Sequence, residues 1–553
     1  MKAAPRQAAP EVDDSAHVDR FARDNLPPRE QWPVFTFDLP ALRYPRRMNC
    51  ATELLDKMVA GGHADRPCLI APAGTWTYRE LQRRVDRIAA VLTRDLGIVP
   101  GNRVLLRAAN NPMMVACWFA VTKAGAVAVP TMPLLRAGEL AYILDKAQVG
   151  LALCDARLEK ELAEAAKRAP VLEHIVTFNG GQLEDLMADK ADGFAAVDTA
   201  ADDVCLIAFT SGTTGQPKGT VHFHRDIMAI CDTFPPHHLN PGPDDIFCGS
   251  PPLAFTFGLG GLVTFPMRVG AASLLLEKAS PDLLLQGIQD HRATICFTAP
   301  TAYRAMIDMV DRYDIASLAK CVSAGEALPK PTWQAFRDKT GIEIIDGIGA
   351  TELLHIFISA SGADIRPGAT GRPVPGYQAC VLADDGSPAP AGQVGRLAVR
   401  GPTGCRYLAD ERQADYVVDG WNLTGDAYLM DEDGYFWYKA RTDDMIISAG
   451  YNIAGPEVEA ALIAHDAVKE CAVVGAPDPE RGTIVKAFVV LRDGAAGDDE
   501  TIKALQDFVK QRIAPYKYPR AVEFVDALPR TETGKVQRFK LRTLEIERAT
   551  GRS

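Results

Sequence analysis

A chain of 553 residues is longer than one hydrophobic core sustains, so two or more domains are expected. Hydrophobic residues make up 47% and charged residues 24%, the balance of a soluble globular protein, and a net charge of -11 argues against nucleic acid as the main partner. No uncharged apolar run approaches bilayer length, the start MKAAPRQAAPEVDD lacks the apolar centre of a signal peptide, and the 12 cysteines are scattered with no C-x-x-C; a cytoplasmic protein without membrane anchor, zinc cluster or disulfide framework is therefore expected.

Residues up to about Pro45 are rich in Pro, Asp and Arg and read as an irregular arm packed on the larger body. From Asn49 a helical pattern begins with Leu54, Leu55, Met58 and Val59. Trp76-Thr77-Tyr78 then leads into a second helix whose stripe is Leu81, Val85, Ile88, Ala89 and Leu92. Val104 to Leu106, Gly125 to Pro130, Leu151 to Cys154 and His174 to Phe178 read as strands, with a helix from Met113 to Gly125. Strands alternating with helices imply parallel sheets covered on both faces.

The apolar run Val204 to Phe209 then opens into FTSGTTGQPKG, Phe209 to Gly219. Glycines let successive N–H groups converge, Ser and Thr add donors, and Lys218 adds a mobile charge, a set that suits a polyphosphate. A P-loop is excluded because Pro217 precedes Lys218 and Gly219 follows it. Next come the glycine-rich CGSPPLAFTFGLGGLVTF, Cys248 to Phe265, and CVSAGEALP, Cys321 to Pro329. IEIIDGIGATELLHIF from Ile342 reads as strand, turn and helix, with Asp346, Thr351 and Glu352 on the turn or at the helix start, and His355 and Ile356 on the helix. From Gly371 short alternating strands suggest a small β-barrel or sheet carrying WNLTGD, Trp421 to Asp426. A final segment has a helix with Pro456 in its first turn, strands at 471–474, 486–491 and 521–525, a helix at 502–513, and PRTETGKVQR holding Lys535.

Five separated stretches agree with one known arrangement: TSGTTGQPKG, GATE, TGD, ARTDDMIISAGYNIAGPEVE and PRTETGK. In these the chain resembles the adenylate-forming superfamily of acyl-CoA synthetases, adenylation domains and luciferases, from about Asn49 to Arg542. The resemblance implies an α/β fold: a large N-terminal domain of parallel αβ-layered sheets plus a small β-barrel over residues 1–442, then a small mobile α+β C-terminal domain over 443–553. It implies ATP and Mg²⁺ as cofactors and coenzyme A as co-substrate. Thr210, Ser211, Gly212, Thr213, Thr214, Gly215 and Lys218 would cradle the β- and γ-phosphates, Thr351 would reach the α-phosphate, and Glu352 would bind Mg²⁺. Gly325, Asp346, Gly347 and Ile348 would face the nucleoside, and Asp426 with Arg441 the ribose. Lys535 would be the catalytic ammonium, Asp443 the hinge, and Gly450 the place where pantetheine passes.

Many relatives place an aromatic residue where this chain has Ile348, a histidine where it has Phe255, and a glycine where it has Ala440; adenine packing is expected to be aliphatic and the acid pocket more apolar. GIGATELLHIF and LAFTFGLG resemble the benzoate-CoA ligase branch. Thr256, Phe257, Gly258, Ala324, Gly349, His355 and Ile356 would then line a flat pocket for one aromatic carboxylate, benzoate or 2-aminobenzoate, the glycines giving it width. An enzyme that loads a carrier protein and a nucleotide-binding protein without turnover are the alternatives; no carrier segment follows Lys535, and retention of Glu352 and Lys535 argues against the second. A homodimer is left open. The histidines at 222, 224, 237 and 238 show no ligand spacing for a metal.

Overall fold

Leu105, Val129, Leu153 and their neighbours form runs apolar on both sides, and in the computed structural model, which describes residues 14–210, 217–448, 451–478, 482–513, 515–530 and 534–550, they lie in a sheet covered on both faces. His174–Phe178, Leu151–Asp155, Arg103–Arg107, Val127–Thr131 and Val204–Phe209 run side by side and parallel, and Gly219–Phe223 closes the edge antiparallel to Val204–Phe209. A second sheet has nine strands. Its parallel centre runs Ile344–Gly349, Lys320–Ser323, Ile295–Thr298, Ile246–Gly249, Ala272–Leu274, Pro67–Ala71; antiparallel strands, among them Ile356–Ser359 and Gly74–Thr77, flank it.

The helix Pro112–Lys123 touches strands of both sheets and is buried from Met113 to Lys123. Such a helix is apolar all round because it has no solvent side. Asn111 starts it by accepting the Met114 N–H at 3.0 Å, with proline at the first turn. Tyr78–Ala90 begins with a capping box in which Thr77 and Glu80 satisfy each other's N–H groups, and its stripe Leu81, Val85, Ile88 and Ala89 is buried as the spacing predicts. The N-terminal arm packs on this body: Val34 N–H donates to Gly420 O at 2.9 Å, and the Trp32 ring lies 5.9 Å from that of Phe223.

A five-stranded antiparallel sheet, Gln378–Leu382 to Phe436–Arg441, follows, the small sheet expected beyond Gly371. Beyond it, Met445–Ser448 pairs with Tyr451–Ala454, and Val468–Asp478, Gly482–Leu491 and Ala521–Phe524 form a three-stranded sheet. Ile446, Val458, Leu462, Val473, Val489 and Leu505 make a core belonging to this C-terminal unit alone. Arg538–Thr550 forms a last helix that the sequence reading did not include. Among the described residues no helix is long and apolar enough to cross a membrane.

One expectation fails. After Gly349 the chain makes only a single 3-10 turn, Thr351–Leu353, and then a strand, Ile356–Ser359, so His355 and Ile356 are not helical and Asp346 lies within a strand rather than on the turn. Leu354 sits at φ +71°, a left-handed conformation that no helix can pass through, and the β-branched and aromatic run Ile356-Phe357-Ile358 favours the strand.

Several histidines are buried as neutral rings. Burial lowers His222 and His238 to about 4 and His355 to about 3. Unfolded, they take up protons near the ordinary value of about 6.5, whereas folded they resist until far lower pH. The unfolded state therefore binds more protons between these limits, and the stability present above about pH 6.5 is lost as pH falls toward 4. The thermal midpoint is expected to fall monotonically across that window; a flat profile would contradict it.

Candidate active site

Lys218 stands at the neck of the glycine-rich loop, where Thr210 N–H donates to Lys218 O at 3.0 Å and Lys218 N–H donates to Thr210 Oγ1 at 3.2 Å. Its ammonium lies 3.9 Å from Glu352 Oε1, 4.5 Å from the Tyr407 ring centroid and 5.6 Å from that of Tyr416. The Tyr407 hydroxyl donates to the same Glu352 oxygen at 2.5 Å. The turn that carries Thr351 and Glu352 is held from behind: His222 Nε2–H donates to Thr351 O at 2.8 Å. Burial keeps that imidazole neutral, so its role is that of a hydrogen-bond donor. Ser211, Gly212, Thr213, Thr214 and Gly215 lie outside the described residues, as does Gly450.

A second group gathers on the neighbouring strands. Asp426 and Arg441 are cross-strand partners, and Arg441 Nη1 donates to Asp426 Oδ1 and to Thr424 O, both at 3.0 Å. Between them Gly425 has φ +75°, and a side chain there would meet Arg441 Nη2 at 2.8 Å. Gly325, φ +91°, faces the C-terminal unit: a Cβ on it would come within 3.8 Å of Lys535 Cε. Desolvation lowers the Lys535 ammonium, opposed by the negative charge of Glu326 and, more weakly, of Asp426, while Arg441 reinforces the lowering. Burial in turn raises the Glu326 carboxyl, against the pull of Arg530 and Lys535. Asp346, at the edge of this group, is raised by burial to about 7 against the Gly347 N–H. Residues scattered through the sequence thus gather in two clusters, Lys218 with Glu352 and Asp426 with Arg441 and Lys535, and Tyr416 lies within the electrostatic reach of both Glu352 and Asp426. Asp443 lies in the one-turn segment Thr442–Asp444 that leads out of the second cluster.

Three residues beyond Glu352 the chemistry changes. His355 is 2% exposed; among the described residues its ring nitrogens make no close hydrogen bond, and the Phe257 backbone is the polar group that faces the imidazole. The rings of Phe265, Phe257, Phe234 and Phe297 surround it at 4.5, 5.6, 5.8 and 6.4 Å. Thr256 and Phe257 open the short helix Thr256–Leu259 beside it. Gly258 and Gly349 serve close backbone approach rather than width: a side chain would meet Pro252 O at 2.1 Å and His355 O at 2.8 Å respectively. Ile356, 1% exposed, packs on Gly347, where a Cβ would lie 2.8 Å from its Cδ1, and Ala324 is 5% exposed at the end of its strand.

Sequence reasoning missed Glu326, Tyr407, Tyr416, His222, Phe234 and Phe297. Glu326 lay in the quoted CVSAGEALP with no partner to mark it; Phe297 reaches the pocket through strand order and Phe234 from the helical segment before Pro235, neither of which a local pattern encodes. Cys50, Cys205 and His224 bring potential metal-binding atoms within 4.8 Å of one another, a gathering invisible to spacing. There His224 Nδ1 accepts the Cys50 N–H at 3.1 Å and lies 3.2 Å from its Sγ, so that lone pair is engaged within the protein. A separate cleft of about 700 Å³ lies by Lys123, whose ammonium is neutralised by Asp56 and Asp86 at 2.7 and 2.6 Å.

Comparison with known proteins follows the same lines. The AMP-binding enzyme family matches residues 57–407, and the AMP-binding enzyme C-terminal domain matches residues 457–535. The chain is 36% identical to the benzoate–CoA ligase of Thauera aromatica over 513 residues, 91% of this chain and 97% of that protein. The crystal structure of the anthranilate CoA ligase AuaEII with anthranoyl-AMP superposes with a TM-score of 0.89 at 35% identity, covering 93% of this chain and all of that one (100%). A benzoate CoA ligase from Burkholderia xenovorans LB400 gives 0.83 at 33% identity, covering 90% and 100%. With the family match over residues 57–407 and 457–535 and these likenesses in agreement, the chain belongs to the AMP-binding, adenylate-forming enzymes.

Proposed function

We propose that this protein is an ATP-dependent ligase that joins a benzoate-type aromatic acid to coenzyme A through an aryl-adenylate, with 2-aminobenzoate as the preferred acid. The observation that carries this reading is the neutral His355, buried inside a cage of phenylalanine rings three residues from Glu352. The rings offer a flat apolar seat, and a neutral imidazole offers one donor and one acceptor to a ring amino group. The relatives named for benzoate and anthranilate support the same substrate class.

In the first step a carboxylate oxygen of the acid bonds to the α-phosphorus of ATP, and the bond to the β-phosphate breaks to release pyrophosphate. Two anions must meet, so charge has to be neutralised locally in a protein of net charge -11. The loop from Thr210 through Ser211, Gly212, Thr213, Thr214 and Gly215 to Lys218 holds the leaving phosphates, and Thr351 holds the α-phosphate. Asp426, steadied by Arg441, takes the ribose hydroxyls; Gly325, Asp346, Gly347 and the aliphatic Ile348 flank adenine. Lys535 brings its ammonium to the oxygens where charge builds. The contacts of Glu352 with Tyr407 and Lys218 both fall on Oε1, so neither engages Oε2, and a carboxylate oxygen suits a hard cation. Mg²⁺, when bound there, supplies neutralisation of phosphate charge.

In the second step the coenzyme A thiol sulfur bonds to the acyl carbon, loses its proton, and AMP departs with the former carboxylate oxygen. Lys535 is not needed there. The unit from Asp443 onward then turns as a lid, with Gly450 leaving room for pantetheine.

Three outcomes are expected. A pyrophosphate-release panel should show kcat/KM for 2-aminobenzoate and benzoate far above that for long-chain fatty acids, and His355→Phe should reduce the preference for the amino-substituted acid by about tenfold; reaction with fatty acids alone would sink the pocket assignment. Lys535→Ala should lower the adenylation rate by a factor of about 10² or more while ATP binding changes little, and supplied aryl-adenylate should still be converted to thioester; an undiminished adenylation rate would refute the mechanism. Because desolvation lowers the Lys535 pKa and the protonated form is required, adenylation should fail as pH rises at values below the ordinary lysine pKa of about 10.4. An alkaline limb at the ordinary value, followed in pyrophosphate exchange, would remove the desolvation argument.

A further inference from the structure

Tyr407 is fully buried, and no sequence pattern marks it. Its backbone is nevertheless built into the strand that follows Lys218. Val221 N–H donates to Arg406 O and Leu408 N–H to Gly219 O, both at 2.8 Å, with a bridge between Thr220 and Tyr407. The neighbouring Arg406, also fully buried, is ion-paired to Asp226 and lies 3.9 Å over the Phe223 ring, which anchors the segment. Tyr407 N–H donates to Gln413 Oε1 at 2.9 Å, tying down the short helix Gln413–Tyr416 and so the second ring. The two rings meet edge to face at 5.6 Å.

This arrangement separates two groups that would otherwise close on each other. Lys218 and Glu352 stand at 3.9 Å, beyond a tight ion pair. The ammonium is held on the Tyr407 ring face, 4.5 Å from its centroid, while the Tyr407 hydroxyl occupies Glu352 Oε1. We propose that Tyr407 is a positioning residue for the metal-binding carboxylate: its hydroxyl orients Glu352 and blocks collapse of Lys218 onto it, and its ring, with that of Tyr416, stores Lys218 for the phosphates. Burial and the neighbouring Glu352 hold the phenol far above its ordinary pKa, so it stays a donor throughout the working pH range. The same side chain thereby serves a cation and an anion through different parts of its structure.

The inference rests on the assignment of Glu352 to Mg²⁺, and the experiment distinguishes the two. Mn²⁺ is titrated into full-length protein with a non-hydrolysable ATP analogue, and free Mn²⁺ is read by electron paramagnetic resonance. Binding of the analogue without metal is measured alongside by calorimetry. Tyr407→Phe, which keeps the ring, should weaken Mn²⁺ binding by about tenfold and leave metal-free nucleotide binding within about twofold. Tyr407→Leu should lose a further factor of about five in metal-free nucleotide binding, because Lys218 is no longer held. Glu352→Gln should weaken Mn²⁺ binding at least as much as Tyr407→Phe.

If Glu352→Gln binds Mn²⁺ as the wild type does, the metal assignment fails. If Glu352→Gln is impaired and Tyr407→Phe is not, the positioning role of the hydroxyl is overturned; equal metal-free affinities in the Phe and Leu variants overturn that of the ring. Ligand-free circular dichroism melts of each variant guard against a folding defect. The tyrosine ultraviolet difference spectrum of wild-type protein on Mn²⁺ addition tests the contact without substitution: a perturbation supports it and a null spectrum overturns it.

Discussion

The cleft is organised around the Lys535 ammonium, an exposed side chain that the surrounding protein still desolvates enough to lower its pKa. A partly desolvated cation is costly unless opposing charge lies close by, and here Glu326 and Asp426 supply it from the large domain while the lysine comes from the small one. The balance is incomplete, since desolvation still dominates and lowers the pKa. An ammonium so placed is poised to be stabilised further by an anion. Phosphate and carboxylate oxygens entering beside it would add to the opposing charge that Glu326 and Asp426 already supply.

The same logic recurs on a smaller scale around Lys218, Glu352 and Tyr407, and around Asp426 and Arg441. In each case opposite charges are near but held in fixed relation by neutral groups: a phenol in one, the cross-strand register and the Thr424 carbonyl in the other. Pre-set geometry of this kind lowers the reorganisation required when a polyanion arrives. The backbone provides the rigidity. Val204–Phe209 and Gly219–Phe223 flank the glycine-rich loop as paired strands, with residues 406–408 added along the second.

Much of this was legible in the sequence where the signal is local. Val204–Phe209 and His174–Phe178 have the bounds read from their apolar runs, and the stripe of Tyr78–Ala90 is buried as its period requires. The glycine-rich loop was legible because phosphate chemistry imposes residue types at close spacing, whereas TGD and Lys535 stood out only through resemblance to a family. What could not be read depends on distance through space. Tyr407 acts on a carboxylate 55 residues away and Phe297 reaches His355 through strand order. The helix expected after Gly349 failed because apolar residues at 353–358 fit either period, and only the left-handed Leu354 decides between them.

That one residue has a wider effect. Because the chain reverses its local twist at Leu354, Glu352 and His355 emerge into different surroundings: a charged wall with Lys218 and Tyr407, and a cage of phenylalanine rings. A regular helix would have put them on adjoining faces of one cylinder, so that any change in one environment disturbed the other. The kink works as a partition. Substitutions around the ring cage can therefore change its shape without moving the charged wall, because the two are not faces of one helix.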